Sequence, residues 1–220
     1  VENARGVFTY FWRSVPGSIL LYGALLVHIA LVLWSFYGRR NLKFGAVEWL
    51  QIAMGALIVP LGVLHFMGTG IARMAGGVEP SYPYVLFSIW VDGWLGVLRE
   101  FGLVVVVWVH ACLGLHMLWR LRKGYSPWRA PAFTVALLLP TMAVISFFQR
   151  GAEIMELAAD RDWLRAMLVE SRMPGPEAVD SFYAAVDNTF YVFVALLVGV
   201  VLARQARDFL ERRGGLVRLH

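Results

Sequence analysis

Long apolar runs separated by short polar stretches dominate the chain, and five of them are long enough for a ~30 Å hydrocarbon layer, which takes about 20 helical residues. They run from about Ser18 to Tyr37, Val47 to Met67, Leu98 to Leu121, Ala132 to Gln149 and Val186 to Arg204. Pro16-Gly17 opens the first; Pro60 and Pro140 lie inside the second and fourth. The pattern predicts an all-α membrane protein, a bundle of about five transmembrane helices.

A shorter apolar stretch, Tyr84 to Leu95, carries Asp92 in its middle and is too short to span, so it reads as an interfacial or re-entrant helix. Glu153 to Arg172 has apolar residues at helical spacing and ends at Pro174-Gly175-Pro176. The short loops set an orientation. Arg39, Arg40 and Lys43 follow the first span; Arg120, Arg122, Lys123 and Arg129 follow the third; Arg204, Arg207, Arg212, Arg213 and Arg218 follow the fifth. The loop at 150–185 instead has four arginines against seven acids. All three basic clusters share one side when the amino terminus is outside and the carboxyl terminus cytoplasmic. Residues 68–97 and 150–185 are then outer loops, the second an extracytoplasmic helical loop.

Composition agrees: 59% of the 220 residues are hydrophobic and 16% charged, against roughly a quarter charged in soluble domains. The net charge of +5 points away from nucleic acid, because the basic residues cluster at the ends of apolar runs rather than along one face. Cys112, the single cysteine, allows no internal disulfide and reads as packing.

Four of the five histidines, His28, His65, His110 and His116, fall in spanning segments; His220 is at the end. An ionisable side chain at membrane depth is costly and is a functional candidate. His110 and His116 differ by about 9 Å along one helix and about 120° around it, so they cannot share a metal but can serve two cofactors. Imidazole is a usual axial ligand of haem iron, and a helical bundle holds a macrocycle between facing helices. Depth matching pairs His65 with His110 for an outer b-type haem and His28 with His116 for an inner one. Gly62 and Gly68 flanking His65, and Gly114 one turn beyond His110, offer close backbone approach to a flat porphyrin. Met54, Met67, Met117 and Met142 read as packing. Asp187, at the start of the fifth span, reads as an acid complementing the helix dipole.

The histidine-bearing helices, with His65-Phe66-Met67-Gly68-Thr69-Gly70 running on to Arg73, resemble the dihaem cytochrome b anchors of succinate:quinone and fumarate reductases. Within that group the chain is most similar to the dihaem cytochrome b membrane anchors of bacterial class III adenylate cyclases. The resemblance implies a dihaem cytochrome b-like domain over 1–213 in the bacterial inner membrane, multi-pass. Residues 214–220 then begin a linker to a cytoplasmic portion, and Leu216-Val217-Arg218-Leu219 resembles the first strand of a ferredoxin-like domain ahead of the cyclase. It implies two haem b, membrane quinone as redox partner, a homodimer, and a regulatory rather than catalytic role for this segment in a protein converting ATP to cyclic AMP.

A quinone site needs an apolar slot with a few polar groups. Trp90, Asp92, Trp94 and Arg150 are its outer-side candidates, with Glu153 nearby. Arg73 and Arg99 are candidate partners for haem propionates, by the geometry guanidinium offers a carboxylate. Two other functions fit the histidines: an electron-transferring cytochrome b subunit of a quinone-linked oxidoreductase, and a haem-free channel or transporter. A visible spectrum separates the last from the rest.

Overall fold

The structure, a computed structural model, describes residues 2–73, 77–173 and 175–217. Among them there is no strand. The helices are α1 (Glu2–Arg13), α2 (Val15–Gly38), α3 (Ala46–Phe66), α4 (Tyr82–Val91), α5 (Gly93–Trp119), α6 (Arg129–Leu157), α7 (Arg161–Glu170) and α8 (Pro176–Val217). A π-helical turn, Met67–Ile71, extends α3, and a 3₁₀ turn, Ser126–Trp128, leads into α6. Five segments are long and apolar enough to cross a membrane: Val15–Gly38, Ala46–Ile71, Gly93–Trp119, Ser126–Leu157 and Glu177–Arg213.

Several boundaries differ from the apolar pattern, each for a local reason. An additional helix, α1, precedes the first span, which begins at Val15. Its start is set by Ser14, whose Oγ accepts the Gly17 N–H at 3.2 Å, and by Pro16 in the first turn. The aromatic stretch from Tyr84 to Leu95 is two helices rather than one, because the chain turns at Asp92-Gly93, where Gly93 adopts φ +69°. Glu153–Arg172 is likewise broken. Asp160 caps α7 by accepting from the N–H groups of Asp162 and Trp163, so α6 ends at Leu157. The last helix begins ten residues earlier than expected and runs for 42 residues, about 63 Å, twice a ~30 Å hydrocarbon layer. Asp187 therefore lies well inside α8, not in its first turn. Gly214 to Val217 continue that helix instead of opening a strand; Arg218 to His220 lie outside the described residues.

The described chain divides into two units. One comprises residues 1–43 and 191–220, thus α1, α2 and the distal part of α8. Here Arg204, only 7% exposed, donates to the Phe36 carbonyl at 2.9 Å and to that of Arg39. Arg207 donates to the Tyr37 carbonyl and pairs with Asp208 at 2.6 Å. These carbonyls close α2, where a helix leaves acceptors unsatisfied and favours positive charge.

The other unit spans 44–190. Its centre is an antiparallel pair, α3 against α5, joined by small residues that let the backbones approach. Gly55 lies against His110, Gly62 against Leu103, Gly114 against Gln51 and Gly102 against Leu61. Trp108 ties α5 to α6 by donating to the Ala136 carbonyl at 2.7 Å. Trp90 of α4 packs on α6 at Gly151, between Phe147 and Phe148. Val63, Met67 and Val186 form a buried cluster where the end of α3 meets the start of α8.

Candidate functional site

Within the larger unit the register of α3 on α5 sets the height of each imidazole. His65 lies opposite Glu100, and its Nδ1 is 3.2 Å from Glu100 Oε2. His110 lies opposite Gly55, and its Nδ1 is 3.1 Å from the carbonyl of Gln51. A carbonyl oxygen only accepts, so Nδ1 of His110 carries the hydrogen and Nε2 presents a lone pair. Gln51 answers by donating its Nε2 to the His110 carbonyl at 3.1 Å. Six residues further along α5, His116 Nδ1 meets the Tyr125 hydroxyl at 3.0 Å, from the loop that follows the helix.

His65 and His110 are not brought together. Glu100, which His65 faces, and His110 are ten residues apart on α5, about 15 Å along the axis. Each ring is turned onto the opposite helix of the pair. In this arrangement the two imidazoles face different partners, Glu100 and the Gln51 carbonyl. His28 is on α2 in the other unit.

The glycines singled out earlier have protein neighbours instead of open space. A Cβ at Gly62 would meet Leu103 Cδ1 at 3.0 Å, and one at Gly114 would meet Gln51 Nε2 at 3.2 Å. Gly68 faces Phe182, 3.9 Å from that Cβ position. Gly62 and Gly114 serve helix packing; Gly68 lies on the wall of a cavity.

That cavity, about 730 Å³, lies beside His65, within the range of cofactor and small-molecule sites. Its walls are mostly apolar, from Leu64, Met67, Ile71, Val85, Ile89, Phe182 and Ala185. The polar groups on it include His65, Glu100, Arg99, Asp92, Tyr84 and Tyr183. Arg99 pairs with Asp92 at 3.4 Å, and its buried Nε has no partner among the described residues. Burial pushes the Tyr84 phenol above its ordinary pKa, reinforced by Tyr183.

Of Trp90, Asp92, Trp94 and Arg150, only Asp92 lines this cavity. Trp90 is held in the α4–α6 aromatic cluster with its Nε1 buried and unpartnered. Trp94 is 70% exposed, and Arg150 is bound to Glu153 at 2.5 Å. Arg73 is half-buried at the end of the α3 segment and does not line the cavity. Glu100 is the residue the sequence reading missed. It follows Arg99 at the edge of an apolar run, where an acid reads as an interfacial charge, yet its side chain is 8% exposed. A contact with a histidine 35 positions earlier has no local signature.

Among the described residues no cluster of three or more His, Cys, Asp or Glu forms a metal site. Haem iron asks less of the protein, since the porphyrin supplies the equatorial nitrogens and imidazoles only the axial ones. The residues fit that demand as individual ligands: three imidazoles are held at Nδ1, the outer-sphere arrangement of ligating histidines. Arg99 has a spare donor suited to a propionate. No protein-family model, curated protein or solved structure matches this chain.

Proposed function

We propose that this chain is a b-type cytochrome membrane domain whose axial ligands come from His28, His65, His110 and His116, and that it reports redox state to an attached cytoplasmic adenylate cyclase. One observation carries the reading. In the larger unit each spanning imidazole is fixed at Nδ1 by a different partner, the Glu100 carboxylate, the Gln51 carbonyl or the Tyr125 hydroxyl. A neutral imidazole fixed this way with the hydrogen on Nδ1 offers Nε2 to iron. A helix surface with no ligand to hold needs none of these polar contacts at membrane depth, where each ionisable group is costly.

The haems would supply one-electron chemistry. The protein's part is to hold imidazoles at set heights, exclude water by the apolar walls and neutralise a propionate through Arg99. In this reading two haem b are bound per chain, the amino terminus is outside and the carboxyl terminus cytoplasmic. The protein is a multi-pass component of the bacterial inner membrane and a homodimer, and quinone in the surrounding lipid is the redox partner. The length of α8 supports a path from the spanning bundle to an output domain. His28 and its partnership with His116 rest on the sequence alone.

The test is a pyridine haemochrome count and reduced-minus-oxidised spectrum on the purified full-length protein and on four single His→Ala variants. The expected result is about two haems in the parent and loss of roughly one in each variant. Colourless parent protein, or full haem content in every variant, refutes the reading.

A further inference from the structure

The His65–Glu100 contact joins an imidazole to a carboxylate that is 8% exposed, at 3.2 Å, across two apolar helices. Helix packing does not require it. Leu103, one turn further along α5, fills the facing position at Gly62 with an aliphatic side chain, and a leucine at position 100 would pack without a charge to desolvate. Burying a charge between spanning helices is costly, and removing one partner of such a pair strands the other. The acid faces a histidine ring nitrogen, and an ionised carboxylate only accepts hydrogen bonds. The contact therefore places the hydrogen on His65 Nδ1 and turns Nε2 away from Glu100.

We infer that Glu100 is a positioning residue that fixes the ring orientation of His65 and strengthens its Nε2 as a donor to iron; this rests on the haem reading above. Donating its Nδ1–H to the carboxylate pushes electron density toward Nε2 and raises the basicity of the ligand. A more basic axial imidazole favours ferric over ferrous iron and lowers the reduction potential of the haem it holds. The other haem is spared, because its ligand His116 is fixed by the neutral hydroxyl of Tyr125. The arrangement thus sets two potentials apart within one bundle.

The experiment is an optical redox titration of full-length protein in lipid nanodiscs, for the parent, Glu100→Gln and Glu100→Asp. Gln keeps the shape and removes the charge; Asp keeps the charge on a shorter stem. Glu100→Gln is expected to retain both haems and to move one of the two waves toward the ferrous state by about tenfold, about 59 mV for a one-electron couple. The other wave stays in place. Glu100→Asp is expected to move the same wave upward by less, and serves as the decisive variant should Glu100→Gln not accumulate. Unmoved waves overturn the inference, as does a displacement by Asp equal to that by Gln, which would mark a packing effect. Parent protein without haem refutes the reading it rests on, whereas a two-haem parent with unmoved variants refutes the inference alone.

Discussion

Gly55 on α3 seats the ring of His110 on α5: a Cβ at position 55 would lie 2.9 Å from His110 Cε1 and 3.2 Å from Nδ1. Any side chain there pushes the imidazole away from the Gln51 carbonyl that fixes its hydrogen. On the proposed haem reading, Gly55→Val is expected to lower haem content by about one per chain, read as a pyridine haemochrome ratio. Gly23→Ala, where an added Cβ meets nothing within 4 Å, is the control and leaves the ratio unchanged.

Gly151 on α6 has no such tolerance. A Cβ there would fall inside the indole of Trp90, a rigid ring already wedged against Phe147 and Phe148. Gly151→Ala is expected to destabilise the protein by about 1–3 kcal/mol through overpacking. Thermal unfolding in detergent should show the midpoint fall by roughly 2–4 °C per kcal/mol. An unchanged midpoint would mean that α4 is free to move off α6.

Arg204 and Arg207 close the carboxyl-terminal end of α2 from α8, donating to the carbonyls of Phe36, Tyr37 and Arg39. Arg204→Ala is expected to cost about 1.5–3 kcal/mol, the range for hydrogen bonds from charged groups. Arg204→Lys keeps the charge without the planar fork, so it should restore less than half of the lost thermal stability. Because both arginines reach the Arg39 carbonyl, the double Ala variant should lose less than the sum of the singles.

Tyr84, outside the spanning segments, gives the alkaline limb of stability its sign. Burial raises its pKa above the ordinary 10.0, so the folded state holds the phenolic proton more tightly than the unfolded chain. The contribution is complete below pH 10 and is lost as pH rises through the folded value. Tyr84→Phe should flatten the decline of thermal midpoint above pH 10; an identical decline would place the burial elsewhere.

Much of this molecule is readable one segment at a time. Apolar runs of spanning length name the five long helices, because with lipid as solvent a segment must satisfy its backbone within itself. The same rule makes an isolated polar residue conspicuous, which is why His28, His65, His110 and His116 stand out without any structure. Helix ends were less legible. Asp92-Gly93 and the Asp160 cap act on residues whose hydropathy gives no warning of a break.

The sequence by itself determined the helical class, the five spans and the inventory of imidazoles at depth. The tertiary structure decided which groups face one another: His65 with Glu100, His110 with Gln51 and Gly55, and a cavity walled by α4, the end of α3 and the start of α8. Hydropathy gives each helix a depth, to within a turn or two. The sliding register and rotation of α3 on α5 are fixed by the fit of glycines against Leu103, Gln51 and His110, a contact between distant positions that no local pattern encodes.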